Sequence, residues 1–224
     1  MLIPDLSPLW ISLKVSLLAT AIAFGLGTAI AYKMYCYQGK ARAVIEGMLI
    51  APMILPPTVV GFILLICFGR SGIFGQILSF WNLRLVFTWY AAALAAIIVS
   101  FPLMYRAALG AFEQIDSLLL DAARLDGASE IAVFWYIALP LAKSGLLAGT
   151  VLTFARALGE FGATLILAGN IPKQTQTMPM AIYFAVEAGE IYEAWFWAIA
   201  VMFISLIGLI AVNFWGEKIK SSNN

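Results

Sequence analysis

The sequence predicts an all-α integral membrane protein with about five transmembrane helices. Hydrophobic residues make up 63% of the 224 residues and charged residues only 11%, whereas soluble domains carry about 25% charged residues. Several apolar runs approach the roughly 20 residues that a helix needs to cross the hydrocarbon core of a bilayer. Because no repeat, low-complexity tract or soluble domain separates these runs, we expect one transmembrane domain over residues 1–224.

The composition argues against several classes of function. The net charge is +1, from 13 basic and 12 acidic residues, so no nucleic-acid partner is indicated. Cys36 and Cys67 are isolated, and histidine, the commonest general base and metal ligand, is absent. Since a phosphate-binding glycine-rich loop is also missing, we expect no catalytic, metal or cofactor site in this chain.

Five spans are predicted, over residues 11–34, 48–68, 89–109, 144–168 and 194–215. The first run could instead be a cleaved signal peptide, but its start is poor in basic residues and a basic cluster, Lys33, Lys40 and Arg42, follows it. The second run contains Pro52 and the pair Pro56-Pro57, which predict a kinked helix inside a bundle or a kink without functional meaning.

The third span carries many alanines, which predict a small-residue face for close helix packing, and it follows a glycine-bearing loop with one short helix over residues 69–87. Residues 180–186 are too short to span, and the acids that follow favour an exposed or pore-mouth segment over a sixth helix. Trp195, Trp197 and Trp215 near the ends of the fifth span are typical of interfacial aromatic belts.

Residues 110–143, here called the charged segment, separate the third and fourth spans and predict two short helices. Ser117 can cap the first helix, and Gly127 stands where a left-handed terminating residue is favoured. A second helix is predicted over residues 128–138, and Pro140 should end it because proline lacks a backbone donor. From the residues alone, this segment is either an ordinary interhelical loop or a docking element for a soluble partner.

Two charges, Arg156 and Glu160, lie inside the apolar fourth run. Four residues apart on a continuous helix, they would share one face and could form an ion pair. An arginine near the bilayer centre costs about 2.5–3.5 kcal/mol on insertion scales, so it normally faces a bundle interior or a water-filled path. The pair therefore either holds two helices together or lines and gates an anion path.

The distribution of basic residues predicts the orientation. With five spans and the charged segment on the cytoplasmic side, eight basic residues fall inside and four outside, which supports a periplasmic amino terminus and a cytoplasmic carboxyl terminus. The inner residues are Lys33, Lys40, Arg42, Arg106, Arg124, Lys143, Lys218 and Lys220, and the outer ones are Lys14, Arg70, Arg84 and Lys173.

The charged segment resembles the cytoplasmic signature of ABC importer permeases, written Glu-Ala-Ala…Gly…Ile-x-Leu-Pro. The matching residues are Asp121, Ala122, Ala123, Gly127, Ile137, Leu139 and Pro140. Asp121 keeps the charge of the commoner glutamate on a shorter side chain. The resemblance implies a MetI-like permease fold in which the segment couples the permease to an ATPase subunit. Asp121 and Arg124 would then be contact charges, while Gly127 permits the bend and Pro140 fixes the exit.

A second resemblance concerns the substrate. The stretches FARALGEFGAT, residues 154–164, and GNIPKQTQTMP, residues 169–179, are similar to a segment shared by permeases for molybdate, tungstate and sulfate. LPPTVVGFILL, residues 55–65, and GRSGIFG, residues 69–75, are closer to the molybdate branch. The residues assigned to the path or gate are Arg156, Gly159, Glu160, Phe161 and Thr164.

This resemblance implies that two copies of this chain form a homodimer within the lipid of the inner membrane. The homodimer would work with two ATPase copies, which bind ATP and Mg, and with a periplasmic binding protein that delivers the molybdate ion. A sulfate or tungstate permease is the nearest alternative, because no feature of the sequence indicates the size of the transported oxyanion. A structural membrane subunit and a membrane-embedded enzyme are more remote: the first would not need the charged segment, and the second would need further acids, histidines or cysteines.

Overall fold

The computed structural model describes residues 5–221, with side chains described for residues 5–210. Every regular element in this range is helical, which confirms the predicted all-α class. The helices are α1 Ser7–Cys36, α2 Arg42–Ile54, α3 Pro57–Phe68, α4 Ile73–Ser79, α5 Trp89–Glu113, α6 Ser117–Leu125, α7 Glu130–Val133, α8 Leu139–Leu141, α9 Lys143–Leu158, α10 Gly162–Ala168, α11 Met178–Glu187 and α12 Ile191–Ser221. A π-helical segment, Phe134–Ala138, joins α7 to α8.

The centre of the bundle is formed by α1, α5 and α9, whose backbones approach closely. Five alanines near the start of α5 are buried. Four of them are fully buried, Ala91, Ala92, Ala95 and Ala96, and Ala93 is 2% exposed. A β-carbon on Gly149 of α9 would lie 2.5 Å from the β-carbon of Ala107 in α5. Small residues therefore bring these helices into van der Waals contact, as predicted for the third span.

Three helices are individually long and apolar enough to cross a membrane: Ser7–Cys36, Trp89–Glu113 and Ile191–Ile210 within α12. Two further helix pairs are long and apolar enough only when their members are joined: Arg42–Ile54 with Pro57–Phe68, bent by 108°, and Glu130–Leu141 with Lys143–Leu158, bent by 76°. If each bent pair is one span, the described residues provide five, but the second pair overlaps the charged segment and ends before residues 159–168 of the predicted fourth span.

The predicted second span, residues 48–68, is broken and not merely kinked. Leu55 and Pro56 have extended backbones with ψ of 143° and 135°, and Pro57 begins α3 in the first-turn position. The physical reason is the Pro56-Pro57 pair, since each proline lacks an N–H donor and disfavours helical geometry in the residue before it.

The predicted fourth span, residues 144–168, is also interrupted. α9 ends at Leu158, and α10 begins at Gly162 after a three-residue break. Glu160 lies in this break, so it does not share a continuous helix with Arg156. Its carboxylate Oε1 accepts the backbone N–H of Ala163 at 2.9 Å, in place of the carbonyl that a continuous helix would supply.

The carboxyl-terminal helices differ from the prediction in two respects. α11 is too short to span, as predicted, but it is not simply exposed, because Met178 and Met180 are fully buried where it packs against α12. This contact buries Trp197 to 1% exposure, and its Nε1–H donates to Glu193 at 3.3 Å. Trp197 is therefore a core residue and not part of an interfacial belt, whereas Trp195 is exposed. The side chain of Trp215 lies outside the described residues.

Contacts along α1 define the two ends of the bundle. Near its carboxyl end, the ring of Tyr32 lies 4.8 Å from that of Phe134 in the charged segment. Near its amino end, the Ser12 hydroxyl accepts the backbone N–H of Met178 at 2.8 Å, and the Lys14 ammonium lies 3.4 Å from the Trp89 ring centre. The charged segment and the loop before α11 therefore lie at opposite ends.

Candidate functional site

The charged segment is a compact pair of capped helices. Asp116, not Ser117, caps α6, since its Oδ1 accepts the N–H of Leu118 at 3.0 Å. The aspartate reaches the free N–H groups from one position earlier, which leaves Ser117 as the first helical residue. The hydroxyl of Ser129 accepts the N–H of Ala132 at 3.3 Å and so caps α7. Gly127 reverses the chain between the two helices with φ of +88°, as predicted.

Arg124 of α6 pairs with one carboxylate in its own helix and with one in α7, and the second pair joins the two helices. The Arg124 guanidinium lies 2.7 Å from Asp121 Oδ1 and 2.7 Å from Glu130 Oε1, and the Tyr32 hydroxyl donates to Glu130 at 3.4 Å. The hydrogen bond from Arg124 lowers the pKa of Glu130 below its usual value, and the same carboxylates raise the pKa of Arg124. Arg124 therefore stabilises the turn from inside the segment and ties it to α1.

Pro140 does not end the second helix, contrary to the prediction. The chain remains helical through α8 because the Leu139 N–H bonds back five residues, to the Phe134 carbonyl, in the π-helical segment. Such a bulge loosens the turn before Pro140, where the ring would otherwise clash with a carbonyl. The Ala142 N–H then bonds to the Ala138 carbonyl at 2.9 Å, and the chain bends into α9.

The charged segment exposes large apolar side chains. Leu125 is 88% and Tyr136 82% exposed, and Leu118, Ile131 and Trp135 are exposed too. Sequence reasoning missed this role, because the apolar spacing in residues 128–138 predicts a helix but does not show that Ile131 and Trp135 are exposed. Exposed apolar groups on a charged segment at the end of a bundle are typical of a protein interface.

The residues of the signature divide into two groups by exposure. Asp121, Ala122, Gly127 and Pro140 are exposed, whereas Ala123, Arg124, Ile137 and Leu139 are partly buried. The second group packs against the core or forms the ion pairs described above. The exposed group, together with the exposed apolar side chains, is what a partner can contact.

The second candidate site is the break between α9 and α10. Arg156 Nη1 lies 2.7 Å from Glu160 Oε2, so the predicted ion pair is present. The Glu160 side chain is only 2% exposed, whereas that of Arg156 is 36% exposed. The carboxylate thus lies inside the protein between the guanidinium and the first turn of α10, while the guanidinium keeps an open side.

The remaining predicted path residues surround this pair. Gly159 is exposed, and the Phe161 ring lies 5.2 Å from that of Tyr183 in α11. Thr164 is buried, and its hydroxyl has no hydrogen-bond partner within the described residues. All five predicted residues therefore lie in the break or within one helical turn of it, at the end of α9 or the start of α10.

The two broken spans meet at their breaks. A β-carbon on Gly162 would lie 3.2 Å from Pro57 Cβ, and one on Gly61 would lie 2.8 Å from the Ala163 Cα. α3 and α10 therefore start at the same level and run side by side in the same direction. The amino-terminal end of a helix carries partial positive charge. Two positive features, the start of α3 and the exposed side of Arg156, therefore lie at the same level of the bundle. Among the described residues no cluster could hold a metal ion.

Comparison with sequences of known proteins gives consistent results. The model of the family "Binding-protein-dependent transport system inner membrane component" matches residues 21–219. The chain is 42% identical over 207 residues to the putative molybdenum transport system permease YvgM of Bacillus subtilis, covering 92% of this chain and 91% of the relative. It is 42% identical to the molybdenum permease ModB of Escherichia coli K12, with 82% and 81% covered. The sulfate permease CysW of Synechococcus elongatus is 34% identical, with 84% and 64% covered.

Solved structures share the fold. A bacterial ABC transporter that imports alginate aligns with a TM-score of 0.76 at 18% identity, covering 96% of this chain and 79% of that one. The inward-facing MetNI methionine ABC transporter aligns with a TM-score of 0.69 at 17% identity, with 97% and 94% covered. At these identities the likeness concerns the fold alone, and it confirms the MetI-like arrangement predicted from the sequence.

Proposed function

The chain belongs to the family of binding-protein-dependent transport system inner membrane components, and we propose that it is the permease subunit of an ATP-driven importer that carries molybdate across the bacterial inner membrane. YvgM and the Escherichia coli ModB are 42% identical to this chain over most of its length, whereas the sulfate permease is 34% identical. Other relatives named ModB are 32–39% identical, so the preference for molybdate over sulfate rests on the two matches at 42%.

The observation that carries the proposal is the exposed apolar surface of the charged segment. Leu125, Ile131 and Tyr136 project from a helix pair whose turn is fixed by Arg124. A rigid element with exposed apolar side chains suits a groove on a separate ATPase subunit, which would bind ATP and Mg. Closure of two ATPase copies would then move the segment and, through α9, the break at residues 159–161.

The proposed path lies between two copies of this chain, each of which contributes one break. The open side of Arg156 would lower the electrostatic barrier for a dianion, and Glu160 would neutralise the arginine when no ion is present. The permease need not bind the ion tightly, because a path that held it strongly would release it slowly. Selectivity can then reside in the periplasmic binding protein.

In this proposal the charged segment faces the cytoplasm. The amino terminus and the loop before α11 lie at the opposite end and would face the periplasm, where the binding protein delivers its ion. The excess of basic residues at the proposed inner side supports this orientation.

The coupling role is tested at Leu125, which no core contact requires. In reconstituted complexes, Leu125→Glu should abolish most of the transport-coupled ATP hydrolysis, and the conservative Leu125→Met should retain it. Asp121→Arg should act like Leu125→Glu, because it reverses a charge beside the same surface and also breaks the ion pair with Arg124. Full molybdate uptake in both Leu125→Glu and Asp121→Arg would contradict the proposal.

The substrate is tested in the same vesicles with two binding proteins in turn, one that binds molybdate and one that binds sulfate. Labelled molybdate should be taken up with the first, and little labelled sulfate with the second. Sulfate uptake that exceeds molybdate uptake would instead assign the chain to the sulfate permeases, and equal competition by tungstate would extend its substrate to both ions.

A further inference from the structure

The short helix α4 presents a largely uncovered apolar face, of which only Phe74 has an aromatic contact within the described structure, with Phe68 of α3 at 5.0 Å between ring centres. Ile73, Phe74 and Ile77 are exposed on this helix, and Phe80 and Trp81 follow directly. These positions recur at i, i+1, i+4, i+7 and i+8, which places them on one side of a helical turn. Phe80 is 85% exposed. The pattern is that of a helix lying in a membrane interface with its apolar side towards the acyl chains.

The opposite side of α4 borders a cavity of about 770 Å³ that contains two arginines. Gly75, Leu78 and Ser79 of α4 line one wall. Arg70, before α4, and Arg84, after it, line the same cavity. The volume lies within the roughly 300–1,000 Å³ that is usual for small-molecule sites.

The charges in this cavity have no internal partner. Neither Arg70 nor Arg84 forms an ion pair or a side-chain hydrogen bond with another described residue, and no acidic residue lines the cavity. Ser79 and Asn82 add hydrogen-bonding groups to the same lining. Two guanidinium groups with nearby hydroxyl and amide groups form a set that suits a phosphate ester.

We propose that this cavity binds the phosphate group of a membrane phospholipid, whose acyl chains lie along the exposed apolar face of α4. The main-chain N–H of Phe87, in the same lining, bonds to the Leu167 carbonyl at the end of α10, so the cavity lies at the end of the bundle opposite the charged segment. The lipid therefore belongs to the leaflet on that side. The identification of this leaflet as the outer one rests on the proposed function, and the rest of the proposal does not.

A lipid accounts for the combination of features better than a free anion or a protein. A free oxyanion would use the arginines but would not account for the apolar face on the same short helix. A protein partner would cover the apolar face, but it would not need two unpaired arginines behind that face. Arginines near an exposed tryptophan and an apolar helix face match the two parts of a phospholipid, a charged headgroup and apolar acyl chains.

The test measures phospholipid retained by the purified complex in mild detergent, by native mass spectrometry. We expect phospholipid retention by the R70Q/R84Q double variant to fall at least about tenfold, because two charge-assisted contacts are lost. The control is Lys173→Gln, which removes an exposed cation lining the neighbouring cavity at the same end and should retain lipid as the parent does. Phe80→Ser should also lower retention, since it removes acyl-chain contact and no charge.

Each other outcome would overturn the proposal. Equal retention by R70Q/R84Q and the parent would exclude the arginines as headgroup ligands, and equal loss in Lys173→Gln would reveal only a general effect of positive charge. Displacement of the lipid by inorganic phosphate or molybdate would indicate a free-anion site. Efficient cross-linking from Phe80→Cys to a second copy or to the binding protein would identify a protein interface. Lipid retention is measured without transport, so failure here leaves the proposed function untouched.

Discussion

Removal of the Glu160 carboxylate is the sharpest perturbation that the structure offers. Glu160→Ala deletes the charge-assisted contact with Arg156 at 2.7 Å, worth about 1.5–3 kcal/mol. It also leaves the Ala163 N–H without its acceptor, which costs about 1–3 kcal/mol more. Because the Arg156 side chain is 36% exposed, water can take over part of its solvation. We therefore expect a net loss of about 2–4 kcal/mol in the free energy of unfolding.

Glu160→Gln separates the two contributions. The amide oxygen can still accept the Ala163 N–H, whereas the negative charge is gone, so the loss should be about half that of the alanine variant. A double-mutant cycle of Arg156→Gln and Glu160→Gln then isolates the pair. We expect a coupling energy of about 1–3 kcal/mol, measured by thermal unfolding of the purified complex through its tryptophan fluorescence.

The four proteins of this cycle are the parent, the two single glutamine variants and the double variant. Together they distinguish a structural ion pair from one that lines the path. If the pair only holds the break in shape, molybdate uptake should follow stability and recover in the double variant, in which no charge is left unpaired. If Arg156 attracts the dianion, uptake should remain low in the double variant despite its recovered stability. Additive effects of the two single variants on unfolding would refute the energetic coupling. Uptake at the parental level in the double variant would refute the role of Arg156 in the path.

Three further predictions concern the helix packing and the charged segment. Gly149→Ala should lower the unfolding temperature of the complex, since the added carbon would approach an α5 alanine to 2.5 Å, whereas Gly110→Ala, with nothing within 4 Å, should maintain or raise it. Gly127→Val puts a β-branched residue at φ of +88°, a cost of about 1–2 kcal/mol, so it should lower stimulated ATP hydrolysis without changing bundle unfolding. Because Arg124 lowers the pKa of Glu130, their ion pair contributes fully above the ordinary glutamate pKa of about 4.3 and is lost as pH falls through the lowered value. Hydrogen exchange in the turn at residues 126–129 should therefore rise only in acid, and Arg124→Gln should raise it at neutral pH.

The sequence predicts most of the fold because composition and apolar run length report directly on the membrane environment. The alanines of α5, the turn at Gly127 and the shortness of α11 all follow from local rules, and all are found. The cap of α6 was displaced by one residue because Asp116 and Ser117 are both good caps, and only the backbone geometry decides between them.

The breaks in two spans could not be predicted with the same security. Prolines inside membrane helices produce either a kink or a break, and the outcome depends on whether neighbouring groups satisfy the freed backbone atoms. At residues 159–161 the sequence contains no proline, and the interruption depends on the Glu160 carboxylate, which can satisfy the first turn of α10. A four-residue spacing between opposite charges usually indicates one helix face, so this local pattern favoured a continuous helix.

The positions of the two candidate sites explain how they could act together. α9 begins at the last residue of the charged segment and ends directly before the break, and Gly145 and Gly149 hold it tightly against α5. A helix packed this closely cannot bend without separating backbones that are already in contact. Movement of the charged segment would therefore be passed along α9 as a whole and absorbed where the helix is already interrupted, at Gly159. In the proposed importer, this places the conformational change at the residues that carry the only ion pair within the predicted spans, among the side chains that the structure describes.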